Sequence, residues 1–162
     1  MPIKLLVAGI AGLMMVANRG REDVPPIIAA PAGDLEMRPA PINPDWVLEG
    51  DPQARVADHS RSADEAGTTA VWDCTAGRFR WYFGWDETVM ILEGTVDVTG
   101  EDGQSRLLKA GDIAYFKGGT WATWQVDTYV RKIAFLRKPF PGPLATLYRL
   151  RNALRSGDRR AL

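Results

Sequence analysis

The chain has 162 residues, which is long enough for one domain with a hydrophobic core of its own. Basic and acidic residues number 20 each, so the formal net charge is zero and no basic excess indicates a nucleic-acid partner. The one cysteine, Cys74, cannot form an intramolecular disulfide. We expect a buried, unreactive thiol on a strand, because free cysteine is usually buried.

Residues 1–24 form an apolar N-terminal segment. Its uninterrupted apolar run, residues 5–17, is shorter than the roughly 20 residues that a membrane-spanning helix needs. Lys4 ahead of the run fits a secretory signal. The alternatives are an anchor that contacts a membrane through residues 5–17, and a non-structural extension upstream of a translation start at Met14 or Met15. Cytoplasmic localisation is favoured, with export or anchoring as the alternative if the segment is a real signal.

Residues 25–52 form a proline-rich arm. Proline lacks the backbone N–H that a strand donates to its neighbour, so it is confined to edge strands and extended chain. We therefore expect this arm to contribute edge strands and to lie along the outside of the domain. Its prolines are Pro25, Pro26, Pro31, Pro39, Pro41, Pro44 and Pro52.

Residues 53–138 carry the pattern of an antiparallel β-barrel or sandwich. Short runs rich in β-branched and aromatic residues alternate with Gly, Asp and Ser turns, and no helical pattern intervenes. Residues 88–92 are apolar on both strand faces, which implies cover on the outer face by the arm or by a second subunit. A homodimer is expected on this ground. The predicted strands span residues 55–59, 68–74, 79–83, 88–92, 95–99, 106–108, 113–116, 121–126 and 129–136.

Residues 139–162 form a C-terminal helix and a basic tail. Leu144, Leu147, Leu150 and Leu154 recur at helical spacing, which predicts a short amphipathic helix. We expect its leucines to dock on the barrel with the arginines in water; a basic helix lying on a membrane surface is the alternative.

Four sequence pieces, in this order and spacing, resemble the cupin superfamily. The family fold is a double-stranded β-helix, or jelly-roll barrel. The similarity is greatest to the cupin domain of (S)-ureidoglycine aminohydrolase and of single-domain bacterial proteins. The pieces lie at residues 72–79, 87–94, 108–112 and 119–124, and the last is followed by a matching end at residues 130–133. The resemblance covers roughly residues 45–137.

The resemblance implies a histidine metal site that this sequence lacks. Glu87 and Gly94 fit the end of the first family motif, but its histidine positions fall on Trp81 and Phe83, or one residue earlier on Arg80 and Tyr82. In the second motif Ala122 replaces the histidine. A transition metal needs three or four converging donors, so no metal and no other cofactor is expected. The aminohydrolase activity of the family implies a manganese site, so we do not expect that activity in this chain.

The barrel mouth is predicted to be an aromatic site with one carboxylate. Period-two geometry puts Phe79, Trp81 and Phe83 on one strand face, and the family pattern turns that face inward. Glu87 is the predicted polar anchor and tentative catalytic acid or base, or else a structural carboxylate paired with an arginine such as Arg131. The predicted ligand-binding set is Trp81, Phe83, Glu87, Tyr115, Trp121 and Trp124.

Three functions stay open from the sequence. The first is a metal-free binding module for a small organic molecule. The second is a metal-independent lyase, isomerase or hydrolase that uses Glu87 on a small polar metabolite. The third is an assembly role at a membrane. His59, the one histidine, lies in a polar stretch and is expected to be solvated.

Overall fold

The structure is a computed structural model that describes residues 24–156, with side chains through residue 153. The expectations for the apolar N-terminal segment fall on residues 1–23 and therefore lie outside the described residues. Within residues 24–156, eight strands pair with antiparallel neighbours and one α-helix follows them. The strands are β1 (Arg38–Pro39), β2 (Val47–Glu49), β3 (Ala54–Arg61), β4 (Gly67–Phe83), β5 (Asp86–Gly100), β6 (Ser105–Lys109), β7 (Ile113–Phe116) and β8 (Thr120–Arg137), and the helix is α1 (Gly142–Ser156).

The strands follow one another across the sheet in the order β1-β3-β4-β8-β5-β6. In addition, β2 pairs with the second half of β4, and β7 pairs with the first half of β5. The three long strands, β4, β8 and β5, run side by side and form the wall that carries the interior side chains. The predicted all-β jelly-roll barrel with a short C-terminal helix is confirmed.

The predicted strand at residues 113–116 coincides with β7, whereas the other eight predicted strands of the core were too short. The predicted breaks near residues 75–78, 93–94 and 127–128 are bulges or irregularities inside continuous strands. Gly94 shows why the chain can continue there: its φ is 74°, and a Cβ at this position would collide with the carbonyl oxygen of Tyr129. Glycine therefore lets β5 bend against β8 where a larger residue would force the strands apart.

The arm lies against the barrel in places and is exposed in others. A short 3-10 turn, Pro44–Trp46, places Trp46 in contact with two barrel tryptophans, and Ile42 is buried in the core. The Ala32 carbonyl accepts a hydrogen bond from Arg131 on the outside of β8. In contrast, Ile27 stays 81% exposed.

Helix α1 forms where the leucine spacing predicts it, but the expectation that it docks on the barrel is wrong. Leu144, Leu147 and Leu150 are 56%, 63% and 57% exposed, so the leucine face is not buried. Tyr148 of the helix contacts Phe140 in the preceding linker. In the stretch from residue 24 to residue 156, no helix has both the length and the apolar character to cross a bilayer.

Candidate functional site

Strand alternation builds the aromatic interior of the barrel. Phe79, Trp81 and Phe83 share the inner face of β4, as predicted, while Arg80 and Tyr82 on the same strand face outward. The inner rings contact one another and those of neighbouring strands. Phe83 stacks on Phe116 of β7 with centroids 4.4 Å apart, and Phe79 stacks on Trp124 of β8. This ring layer fills the barrel interior.

A buried ion pair lies behind the ring layer. Lys132 of β8 donates a hydrogen bond to Glu87 Oε1 of β5, with 2.7 Å between Nζ and the oxygen. Lys132 is 4% exposed and Glu87 is 6% exposed. The ammonium also lies 4.5 Å from the Trp124 ring centroid and 5.0 Å from that of Trp72, distances at which the ring faces attract a cation.

The partner of Glu87 was not recognised from the sequence. The sequence suggests an arginine such as Arg131, but Arg131 lies on the outer side of β8 and donates a hydrogen bond to the arm. The signal was present in the alternation of β8, where Val130, Lys132 and Ala134 are all buried. A lysine between two inward-facing apolar residues has to be paired, because a lone buried charge is strongly unfavourable.

A cavity of about 630 Å³ opens at the mouth of the barrel, between β6, β7 and the beginning of β8. Phe116 lines it, contacts Trp124 and pairs with Glu87 across β5 and β7, whereas Glu87 and Lys132 do not line it. We infer that the Phe116 ring separates the cavity from the Lys132–Glu87 pair. The cavity wall is apolar on the barrel side and carries charged groups at the rim. The apolar residues include Val98, Leu108, Ala114, Phe116 and Ala122; the charged ones are Glu101, Asp102, Arg106 and Lys117.

The structure divides the predicted ligand-binding residues into three groups. Tyr115 and Trp121 line the cavity. Glu87, Phe83 and Trp124 are buried behind it and absent from its wall.

Trp81 occupies a third position, within a tryptophan cluster. It packs edge-on against Trp46 and Trp72, with ring centroids 6.0 Å and 5.9 Å apart, respectively. The ring centroids of Trp46 and Trp121 are 5.1 Å apart. The arm therefore holds the Trp121 indole, which forms one side of the mouth. Trp46 and Trp72 therefore connect the arm, the mouth and the ion pair.

Tyr115 turns its hydroxyl toward Asp86 on the outside of β5. This hydrogen bond raises the pKa of the Tyr115 phenol. The backbone N–H of Gly118 donates to Asp86 Oδ1 at 2.9 Å, and this bond is the main reason that the pKa of Asp86 is lowered. Asp86 thus ties the turn after β7 to the start of β5 and fixes one edge of the cavity.

A second buried carboxylate, Asp73, was not singled out from the sequence. It accepts two hydrogen bonds from Arg55 and one from the Tyr129 hydroxyl, and it is 2% exposed. Because its neighbour Cys74 points to the interior, Asp73 lies on the outer face of β4, away from the cavity. Burial raises the pKa of the Cys74 thiol to about 12, as expected for an unreactive thiol.

The described residues offer no grouping of three histidine, cysteine, aspartate or glutamate side chains that could hold a metal ion. His59 lies within β3, where its Nδ1 is 3.0 Å from the Ser60 hydroxyl. Trp81 and Phe83, which occupy the family's ligand positions, carry no group that binds a transition metal.

Comparisons with known proteins agree with the fold. Residues 61–134 match the family model described as the EutQ-like cupin domain. No curated protein matches the chain. A protein of unknown function of the DUF861 family from Pseudomonas syringae pv. tomato str. DC3000 is similar, with 24% identity and a TM-score of 0.58. The match covers 62% of this chain and 44% of that one, so the chain spans less than half of that protein's length.

Two further solved structures are similar at lower identity. A predicted oxalate decarboxylase from Thermotoga maritima has 13% identity and a TM-score of 0.53, covering 70% of this chain and 99% of that one. The EutQ protein of Clostridium difficile has 17% identity and a TM-score of 0.48, covering 53% and 63%. The two structures with TM-scores above 0.5 support the fold alone. Together with the barrel topology, the family match shows that residues 61–134 have a cupin-type fold and are similar to the EutQ-like cupin domain.

Proposed function

We propose that this cupin domain binds a small organic molecule in the cavity at the barrel mouth, without the histidine metal site usual for the fold. The observation that carries the proposal is the cavity itself. Its volume of about 630 Å³ lies within the range of small-molecule sites, and it combines an apolar inner wall with charged groups at the rim.

The wall indicates the kind of molecule that would fit. Leu108 and Phe116 offer apolar contact on the inside, while Arg106 and Lys117 offer positive charge at the rim. Glu101 is held in place because its Oε1 accepts the backbone N–H of Trp121 at 3.0 Å. A ligand with an apolar body toward Phe116 and a polar end toward the rim would satisfy both parts of the wall.

Glu87 enters this proposal in a revised role. Phe116 separates it from the cavity, and its charge is already matched by Lys132. We therefore assign direct ligand contact to Phe116, Tyr115 and Trp121. Glu87 supports the ring layer from behind through its bond to Lys132.

The binding proposal is tested by filling the cavity. The protein would be purified from its native host and examined by native mass spectrometry for a retained small molecule, and binding of 8-anilinonaphthalene-1-sulfonate would be followed by fluorescence. Leu108→Trp should abolish both signals, whereas Leu48→Trp, on β2 and outside the cavity, should leave them unchanged. Equal signals in both variants, or none in the unaltered protein, would contradict the proposal.

A second candidate function is favoured by the ion pair. Acid–base catalysis commonly uses a second titratable group in the site, and Lys132 supplies that partner for Glu87, which the sequence did not reveal. In this alternative the domain is a metal-independent lyase, isomerase or hydrolase. The substrate would have to displace the Phe116 ring to reach the pair.

The resemblance to the (S)-ureidoglycine aminohydrolase-type domain belongs to this alternative. It proposes (S)-ureidoglycine as the probe substrate, with ammonia release measured in the presence of a chelator. Glu87→Gln should abolish release and Glu93→Gln, at an exposed position, should not. If the unaltered protein releases no ammonia, the aminohydrolase activity is ruled out. If both variants release ammonia equally, Glu87 is not the acid or base of the reaction.

A further inference from the structure

Helix α1 carries an apolar face that stays open to solvent. Leu144, Leu147 and Leu150 are each more than half exposed, and residues three apart lie on the same side of a helix. The linker before the helix adds Phe140, whose ring contacts Tyr148. A groove of about 290 Å³ runs between the linker and the helix. We call this surface the helix face: Phe140, Leu144, Leu147, Tyr148, Leu150 and Arg151.

Positive charge is concentrated at the helix face. The Arg151 guanidinium lies 4.6 Å from the Tyr148 ring centroid, and the Arg137 guanidinium lies 5.1 Å from that of Phe140. Residues 137–162 contain seven basic residues and one acidic residue, whereas residues 1–136 contain 13 and 19. A chain with no net charge is therefore basic at its C-terminal end and acidic elsewhere.

A second apolar segment is connected to the same end of the barrel. Val24 lines a groove together with Thr68, near the start of β4. Gly67, the neighbour of Thr68, pairs with Arg137, the last residue of β8, after which the chain continues into α1. The apolar run of residues 5–17, which precedes Val24 in the sequence, is thus attached to the barrel at the end from which α1 departs.

We propose that α1 lies on the surface of a lipid bilayer that contains anionic lipids. The leucines of the helix face enter the boundary of the acyl chains, and the arginines meet the lipid phosphates. Tyr148 combines an aromatic ring with a polar hydroxyl, a combination that is enriched at the level of the headgroups. A nucleic acid would also attract the arginines, but it would leave the exposed leucines in water. The apolar run at the same end of the barrel supplies the second contact that stable attachment to a membrane requires.

The proposal is tested by sedimentation of the full chain with vesicles at low ionic strength. Binding to vesicles of phosphatidylglycerol and phosphatidylcholine should be at least about tenfold tighter than to phosphatidylcholine alone, and added salt should weaken it. Leu147→Gln should weaken binding about tenfold, because it removes an apolar side chain from the bilayer. Leu48→Gln, at a position 50% exposed on β2, is the matched control and should leave binding unchanged.

The charge of the helix face is tested in the same assay. Arg151→Gln should weaken binding about fivefold, because one basic side chain near an anionic surface contributes about 1 kcal/mol, which corresponds to that factor. Lys109→Gln is the matched control, because Lys109 is exposed on β6. Equal effects of the two changes would show that the binding reflects the charge of the whole chain and not α1.

A labelled cysteine reports on α1 directly, whatever the rest of the chain contributes. Native Cys74 is fully buried, so Leu147→Cys can be labelled selectively with a nitrobenzoxadiazole dye. Its fluorescence should rise when anionic vesicles are added and should be quenched by nitroxide-labelled lipid. Asn152→Cys, which is exposed and about 140° around the helix from Leu147, should respond much less.

Four results would overturn the proposal. They are no binding to anionic vesicles at low ionic strength, Leu147→Gln binding as tightly as the unaltered chain, equal responses of the two labels, and tighter binding to a random-sequence RNA than to the vesicles. Because Leu147 is exposed, its substitution should not disturb the barrel, and the tryptophan fluorescence of each variant checks this.

Discussion

Removing the lysine of the buried ion pair should strongly destabilise the protein. Lys132→Met keeps an unbranched side chain of similar shape but leaves the Glu87 carboxylate, 6% exposed, without its 2.7 Å partner. An unpaired buried charge of this kind costs about 3–5 kcal/mol. Loss of the ammonium contacts with the Trp72 and Trp124 rings adds about 1 kcal/mol, and the added burial of the Met side chain offsets part of it. We expect the free energy of unfolding to fall by about 3–5 kcal/mol.

The measurement is urea denaturation at neutral pH, followed by tryptophan fluorescence and by circular dichroism. Lys117→Met, at an exposed position, should change the free energy of unfolding by less than about 0.5 kcal/mol. The double variant Glu87→Met, Lys132→Met should recover most of the loss, because a buried pair replaced by apolar residues is often neutral. If Lys132→Met costs less than about 1 kcal/mol, or if the two single effects simply add, the reasoning about this pair is refuted.

Three further predictions concern the backbone, the thiol and the pH dependence. Gly94→Ala should destabilise more than Gly103→Ala in the same denaturation assay. Both glycines have φ of 74°, so each change costs about 1–2 kcal/mol of backbone strain, but only the Cβ at Gly94 collides with Tyr129; equal costs would argue against that close approach. Cys74 should not react with a thiol reagent at pH 8 until the protein is unfolded, because burial raises its pKa to about 12; rapid labelling of the folded protein would contradict this. The pKa of Asp86 is lowered in the folded state, so its stabilising contribution is present above its unfolded pKa and is lost as pH falls through the folded value. Asp86→Asn should therefore flatten the dependence of the free energy of unfolding on pH below about pH 4. An unchanged pH dependence would show that the bond from Gly118 to Asp86 does not contribute to it.

The fold could be predicted from the sequence because its signals are local. Glycines at residues 94, 111 and 119 and the apolar runs between them mark the strands by residue type and spacing. The strand ends were less accurate. A bulge keeps a strand continuous by means of a contact from another strand, such as the one between Gly94 and Tyr129, and that contact does not show in local spacing.

The candidate site was predicted only in part, for a different reason. Alternation correctly placed Phe79, Trp81 and Phe83 on one inward face. It could not show that Phe116 closes over Glu87 from β7, nor that Lys132 reaches Glu87 across 45 residues. Both depend on how the barrel closes, which no single strand specifies. The leucine spacing predicted α1 but could not say whether the rest of the protein offers a surface to receive it.

Trp46 has a practical consequence for work on this protein. Its indole packs against Trp81 and Trp121, yet it precedes the family match, which begins at residue 61. A fragment cut to the boundaries of that match would lack this indole and the two strands that follow it, β2 and most of β3. We expect the barrel mouth of such a fragment to be distorted, so ligand screens should retain the polypeptide upstream of the matched region.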